Sequence, residues 1–244
     1  MNHPRRLAWV FPFLLPLPAA AGPPYVTDDP EPTEIGHFEI YAFGAGTRTI
    51  DGSGGAAGLD ISYGGAPDLQ LSVTVPIEYN HPTGSPFIGG LGNVELAAKY
   101  RFIHQETAGV DVAIFPRVFL PSGSSHVGDQ HVTFFLPLWI GRQTGRWGTF
   151  GGGGCAINRR NGSKDYCLVG WAVTYKALEN LEFGAEIYHQ TPDASGSRHL
   201  TGVSAGIRYD VTDTFHLVGS MGPGIQNANQ MDQLSWYAAL LFTF

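Results

Sequence analysis

Residues 69–79 read Leu-Gln-Leu-Ser-Val-Thr-Val-Pro-Ile-Glu-Tyr. Leu69, Leu71, Val73, Val75, Ile77 and Tyr79 occupy one parity, and Gln70, Ser72, Thr74, Pro76 and Glu78 the other. Successive side chains on a strand point to opposite faces, so this run predicts an extended segment with one oily and one polar face. The same alternation recurs with Val94, Leu96, Ala98, Tyr100 and Phe102 opposite Glu95, Ala97, Lys99 and Arg101. It returns with Val110, Val112, Ile114, Pro116, Val118 and Leu120 opposite Asp111, Ala113, Phe115, Arg117 and Phe119. Leu181, Phe183, Ala185 and Ile187 then oppose Glu182, Gly184, Glu186 and Tyr188.

Working outward from these runs predicts strands near 36–47, 56–64, 67–79, 91–104, 109–120, 130–141, 146–157, 166–177, 180–190, 199–210, 213–224 and 233–244. That is about twelve, an even number, as a single-chain bacterial barrel requires. Short links are expected at Gly64–Ala66, Gln105–Ala108, Gln143–Gly145, Leu178–Glu179 and Val211–Thr212. Longer polar ones are expected at Asp51–Gly55, His81–Gly90, Ser122–Asp129, Asn158–Asp165, Thr191–Arg198 and Gln226–Asp232. Alternating short and long connections are the asymmetry of an outer-membrane barrel.

The face opposite the aliphatic one carries Glu39, Asp60, Glu78, Glu95, Lys99, Arg101, Asp111, Arg117, Lys176, Glu182, Glu186, Arg208 and Asp210. A basic residue turned to lipid at mid-membrane costs about 2–4 kcal/mol, so these residues are expected to line a lumen. The same face is rich in Gly, Ala and Ser, too small and uncharged for a soluble exterior. Tyr63, Tyr100, Phe102, Tyr175 and Tyr209 gather on the apolar face near one set of strand ends, where an aromatic girdle belongs. The expected fold is an all-β, closed antiparallel transmembrane β-barrel over 36–244.

Composition agrees. The chain has 244 residues, 33 Gly, 12% aromatic residues and 14% charged residues, against about 25% charged in an average soluble domain. A net charge of -7 with no basic patch excludes nucleic acid as a partner. No cofactor motif appears, and no His or Cys pairs stand at metal-ligand spacing.

Arg5 and Arg6 precede an apolar run from Leu7 to Leu17, followed by Ala19-Ala20-Ala21. This order predicts a signal peptide over 1–21, hence export to an oxidising compartment and a cell outer membrane. Residues 22–35 are Pro-rich and acidic, with Asp28, Asp29, Glu31 and Glu34. Two readings of this periplasmic segment stand side by side: a small plug pairing with lumen bases, or a flexible tail.

Cys155 and Cys167 flank one loop at the top of neighbouring strands, so a disulfide is expected there. His189 and Thr191 share lipid-facing parity at the outer rim. They raise the alternative of a lipid-modifying enzyme, although the non-enzymatic reading is preferred. The lumen charges either line a permeation path or neutralise one another in a closed structural barrel. The chain ends Ser235–Phe244, with Phe244 terminal and apolar or aromatic residues at every second position before it. This resembles the C-terminal signal read by the barrel-assembly machinery, the expected partner alongside membrane lipid.

Tyr25-Val26-Thr27-Asp28-Asp29-Pro30-Glu31-Pro32 and Gly36-His37-Phe38-Glu39 resemble outer-membrane proteins of the MetA-pathway phenol-degradation family, often labelled transporters. The resemblance continues at Tyr188-His189-Gln190-Thr191-Pro192 and His216-Leu217-Val218-Gly219-Ser220-Met221-Gly222. It implies a membrane barrel that passes small, aromatic or hydrophobic compounds, with no catalytic residues to carry over.

Overall fold

The computed structural model describes residues 24–128, 130–158 and 162–244. The expected signal peptide over 1–21 lies outside them. The chain forms β1 (Phe38–Thr49), β2 (Gly52–Ala66), β3 (Leu69–Pro82), β4 (Ile88–Leu91), β5 (Glu95–Ile103), β6 (Asp111–Ile114), β7 (Arg117–Phe119) and β8 (Thr133–Thr144). It continues with β9 (Trp147–Ile157), β10 (Tyr166–Leu178), β11 (Leu181–Gln190), β12 (Leu200–Asp210), β13 (Phe215–Gly222), β14 (Gly224–Gln226) and β15 (Leu234–Thr243). Two single-turn helices, α1 (Gln105–Ala108) and α2 (Ala228–Met231), sit in connections.

Three barrel strands are each broken in two, as β4 with β5, β6 with β7 and β13 with β14, so the wall has twelve strands. All pairings are antiparallel between sequence neighbours, and β15 returns to β1 from Glu39↔Thr243 to Arg48↔Leu234. Phe38 N donates to Phe244 O (2.7 Å) and Phe244 N to Phe38 O (3.1 Å), completing the seam at its end. Closure leaves no unpaired edge, which is what lets a sheet stand in hydrocarbon.

Two of the three breaks have a common cause, because proline has no N–H to give the ladder. Pro116 separates β6 from β7, and Pro223 separates β13 from β14. Between β4 and β5, Gly92–Val94 lie opposite Val75 and Pro76, a local bulge of one residue. The expected single strands at 91–104, 109–120 and 213–224 are corrected accordingly. The expected long loop Asp51–Gly55 is also corrected: Ile50 and Asp51 make a tight turn, and β2 starts at Gly52. Gly52 permits this with φ +146°, at a point where a Cβ would lie 2.5 Å from the His81 carbonyl oxygen.

Burial is inverted relative to a soluble domain. Outward residues such as Ile77 (63% exposed) and Leu136 (64%) are apolar, while inward Gln70, Thr74, Glu95, Lys99 and Arg117 are buried. Each strand thus presents oil to one side and polar groups to the other, as a lipid-facing wall demands. Aromatic rings collect at the short-turn end: Phe38 lies 4.6 Å from Tyr63 and 5.8 Å from Phe244, Phe215 5.2 Å from Phe242, and Trp147 4.7 Å from Tyr175. The interior is not uniformly polar. Phe135, Ala156, Leu168, Tyr188 and Leu200 form one apolar cluster, and Tyr41, Val218, Ala239 and Leu241 another.

Candidate functional site

The segment preceding β1 runs inside the barrel. Pro24, Pro30 and Pro32 keep it out of helix and ladder and remove donors that would otherwise need partners. The remaining groups are met by opposite walls. Ser220 Oγ of β13 donates to the Pro24 carbonyl. Val26 N and Thr27 N donate to the two Glu186 carboxylate oxygens of β11 at 3.1 and 2.5 Å. Thr33 N and Oγ1 donate to Gln70 Oε1 of β3 (2.9 and 3.1 Å). Gly36 N then donates to Gly64 O (2.8 Å), where the chain leaves the lumen at the short-turn end.

Glycines in the wall make room for it. A Cβ on Gly170 would lie 2.0 Å from Thr27 Oγ1, and one on Gly184 2.1 Å from the Tyr25 hydroxyl. The Tyr25 ring also packs 6.1 Å from Phe150. These wall positions cannot carry a side chain while the segment is seated.

Asp28 is fully buried between two bases. Lys99 Nζ donates to its Oδ1 at 3.0 Å and Arg117 Nη2 to its Oδ2 at 3.0 Å. Lys99 also reaches Asp29 Oδ1 (3.6 Å) and the Glu31 carbonyl (3.2 Å). Phe115 lies against both cations, with Lys99 Nζ 4.9 Å and Arg117 Cζ 4.3 Å from its ring centroid. Glu95 Oε1 is 3.6 Å from Arg117 Nη1. Two buried bases and two buried carboxylates, Asp28 and Glu95, compensate one another here, whereas any one alone would be costly.

The other sequence-predicted lumen residues fall into separate groups. Arg101 donates to Asp68 at 3.0 and 2.9 Å and lies 3.6 Å from Asp111, with His104 Nε2 also 3.0 Å from Asp68. Asp68 stands in the β2–β3 turn. Burial opposes its ionisation, but hydrogen bonds from His104 and Arg101 outweigh that and hold its carboxyl below the usual range. Arg208 Nε donates to Asp210 at 3.0 Å, and His216 Nδ1 bonds the same oxygen at 2.6 Å. Glu39 accepts from the Tyr41 hydroxyl at 3.3 Å, and Tyr41 is the cross-strand neighbour of Asp60. Glu78 accepts from Asn93 N (3.3 Å), and Glu182 faces Lys176 and Arg208 across the ladder. Lys176, Glu31 and Glu34 are exposed. Sequence reasoning missed Asp68, His104, Tyr25 and the central place of Phe115. Only Asp68 left a local sign, as an acid in a two-residue turn.

The seated segment divides the space around it. A chamber of about 590 Å³ lies toward β1–β3, lined by Glu39, Tyr41, Asp60, Gln70, Lys99 and Phe115 among others. Another of about 380 Å³ lies toward β8–β12, reached by Asp111, Thr149, Lys176, Glu182 and Arg208. A smaller apolar space of about 80 Å³ adjoins Pro24, with Phe43, Phe119, Tyr188 and Tyr237 around it. Side chains alone do not fill this barrel.

At the long-loop rim, Cys155 and Cys167 are cross-strand partners on β9 and β10 and form a disulfide. His189 and Thr191, the residues of the enzyme alternative, bond to other partners. Thr191 Oγ1 accepts from Cys167 N (2.8 Å), while His189 Nδ1 bonds Thr201 Oγ1 (2.8 Å) and its ring stacks 5.5 Å from His199. Among the described residues no group of three or more His, Cys, Asp or Glu is placed to hold a metal ion.

No curated protein sequence matches the chain. Among solved structures, it is similar to the COG4313 outer membrane channel from Pseudomonas putida F1, with TM-score 0.76 and 12% identity over 88% of this chain and 98% of that one. It is also similar to the KdgM porin in complex with disordered oligogalacturonate (TM-score 0.58, 13% identity, 85% and 99% coverage). The NanC porin follows at TM-score 0.54 and 12% identity, with 84% and 98% coverage. At such identities the likeness establishes the barrel architecture. Family membership rests on the sequence itself, which matches over residues 47–235, so the chain belongs to the family described as "Putative MetA-pathway of phenol degradation".

Proposed function

We propose that this protein is an outer-membrane channel for passive passage of small molecules, plugged from the periplasm by its own N-terminal segment. The observation that carries the reading is Asp28, with no solvent exposure, bonded to Lys99 and Arg117 in the middle of a barrel that has unfilled space on both sides of the segment. A twelve-strand wall is wider than eight strands, whose interior side chains fill, and narrower than an open sixteen-strand porin. A short peptide is enough to occupy the difference.

The channel and porin structures of the same architecture support this role, and the even strand count puts both chain ends on the periplasmic side. The family description and the apolar space beside Phe43, Phe119 and Tyr237 favour small aromatic or hydrophobic solutes. Phe244, at the end of the last strand, is the group offered to the assembly machinery after signal-peptide removal. No enzymatic role is assigned, since the Thr191 hydroxyl is bonded to backbone rather than to His189.

Liposome swelling tests the reading. Full-length mature protein should admit a pentose slowly, and a variant lacking Gly22–Ile35 should admit it several-fold faster. Equal rates above those of protein-free liposomes would refute the plug. Rates indistinguishable from protein-free liposomes for both proteins would refute the channel.

A further inference from the structure

Asp28 does more than fill space; its carboxylate is held by two buried bases beside an aromatic ring. Arg117 is 2% exposed, and Lys99 and the Phe115 ring complete a concave group of two cations on one aromatic plate. Each base gives Asp28 a single bond, Lys99 to one oxygen and Arg117 to the other, so the carboxylate is bridged rather than forked. Among the described residues Arg117 Nε and Nη1 have no hydrogen-bond partner, Nη1 being ion-paired with Glu95 Oε1 at 3.6 Å, although guanidinium normally binds a carboxylate through two parallel N–H groups. The arrangement therefore has donor capacity that the side chain of Asp28 leaves unused.

The group is also reachable. Asp28, Lys99 and Phe115 all border the chamber of about 590 Å³ that continues past Tyr41 to His37, Phe38 and Phe244 at the short-turn end. A small planar anion entering there meets the Phe115 ring and Lys99, with Arg117 buried behind Asp28 and the acids Glu39, Asp60 and Glu95 also on the chamber wall.

We propose that Lys99, Arg117 and Phe115 form a binding seat for small monocarboxylate anions, which the chain's own Asp28 fills when the segment is seated and which an incoming carboxylate contests. The inference rests on the plug reading above, since the seat is vacated only if the segment leaves. It adds the class of solute that would favour departure. Asp28 is tethered, so it competes at an effective concentration of about millimolar or more. Monocarboxylates would accordingly bind weakly to the intact chain and much more tightly once Asp28 is removed.

Equilibrium binding of radiolabelled benzoate to the detergent-solubilised mature protein tests this, with benzyl alcohol as the uncharged analogue. Asp28→Ala should raise benzoate affinity tenfold or more. Adding Arg117→Gln to that variant should abolish the gain, and Lys99→Gln should reduce it, giving a second route if the arginine variant does not fold. Benzyl alcohol should bind each protein equally weakly. Unchanged benzoate affinity in Asp28→Ala would overturn the seat, as would a gain that survives both Arg117→Gln and Lys99→Gln. Equal gains for benzyl alcohol would overturn it too, by showing that apolar space alone was opened. Conductance of Asp28→Ala without benzoate separates the two proposals: a silent bilayer refutes the channel, whereas the binding series decides the seat.

Discussion

Asp28 and Arg117 stand 89 positions apart in the chain, yet their side chains meet at 3.0 Å with neither exposed to solvent. The contact ties a proline-rich leader to a wall strand on the far side of several hairpins. Its energetic asymmetry governs how the segment should respond to mutation. Seated, the carboxylate and the two bases compensate one another. With the Asp28 carboxylate gone, Lys99 and Arg117 keep only the longer carboxylate contacts to Asp29 and Glu95, 3.6 Å each, and admitting water becomes less costly than leaving the two cations so poorly paired.

Asp28→Ala should therefore release the segment while leaving the barrel folded, because the strand ladders do not depend on Asp28. Hydrogen exchange at the amides of Val26 and Thr27, which now donate to Glu186, reads this directly. Their protection should fall at least tenfold, while amides of β10 and β11 keep theirs. Loss of protection throughout the wall would show instead that the segment is part of the fold's core.

Gly184→Val should expel the segment from the opposite side. A Cβ at this position would lie 2.1 Å from the Tyr25 hydroxyl and 2.9 Å from the Val173 carbonyl oxygen, and valine adds two more methyl groups. The expected result is liposome swelling as fast as that of the variant lacking Gly22–Ile35. Swelling at the wild-type rate in a folded Gly184→Val protein would mean that the segment has another seat.

Val75 lies near the middle of β3 and faces outward. Val75→Arg should destabilise the barrel by about 2–4 kcal/mol in lipid vesicles, the cost of a base facing the bilayer midplane. Val75→Leu should be near neutral. Urea titration of the folded and unfolded forms measures both, and an arginine variant as stable as wild type would place this face away from lipid.

Asp68→Asn probes the short-turn end. Asp68 adopts φ 60°, which asparagine tolerates, so the substitution tests charge rather than backbone. The folded carboxyl lies below its usual value, so its stabilisation is present above the unfolded value of about 3.9 and is lost as pH falls through the lower folded one. The variant should lose up to about 1 kcal/mol at pH 7, as befits a partly exposed network. The difference from wild type should vanish in strong acid. A penalty independent of pH would assign Asp68 a role other than its bonds to Arg101 and His104.

The wall was legible in the sequence because lipid and water impose opposite demands on alternate residues, and Leu69–Tyr79 carries that demand without interruption. What interrupts it is also local but easier to misread. Pro116 and Pro223 fit the alternation by parity, yet each breaks the ladder by lacking an N–H. Gly52–Gly55 resembles a loop by composition, yet pairs fully with β1 and β3. At Phe134 and Phe135, two adjacent aromatics conceal which one faces inward; the structure buries Phe135 and exposes Phe134. The partners of Asp28 were beyond local reading altogether. Lys99 and Arg117 were recognisable as inward bases, and Asp28 as one acid among four, but no periodicity selects which acid meets which base across a lumen.

Single-channel recording of wild type beside Asp28→Ala in a planar bilayer bears most directly on a passage held shut by its own leader. Wild type should show small or rare openings, and Asp28→Ala larger and more frequent discrete steps. Identical current histograms from the two folded proteins would contradict a closed passage that Asp28 holds in place.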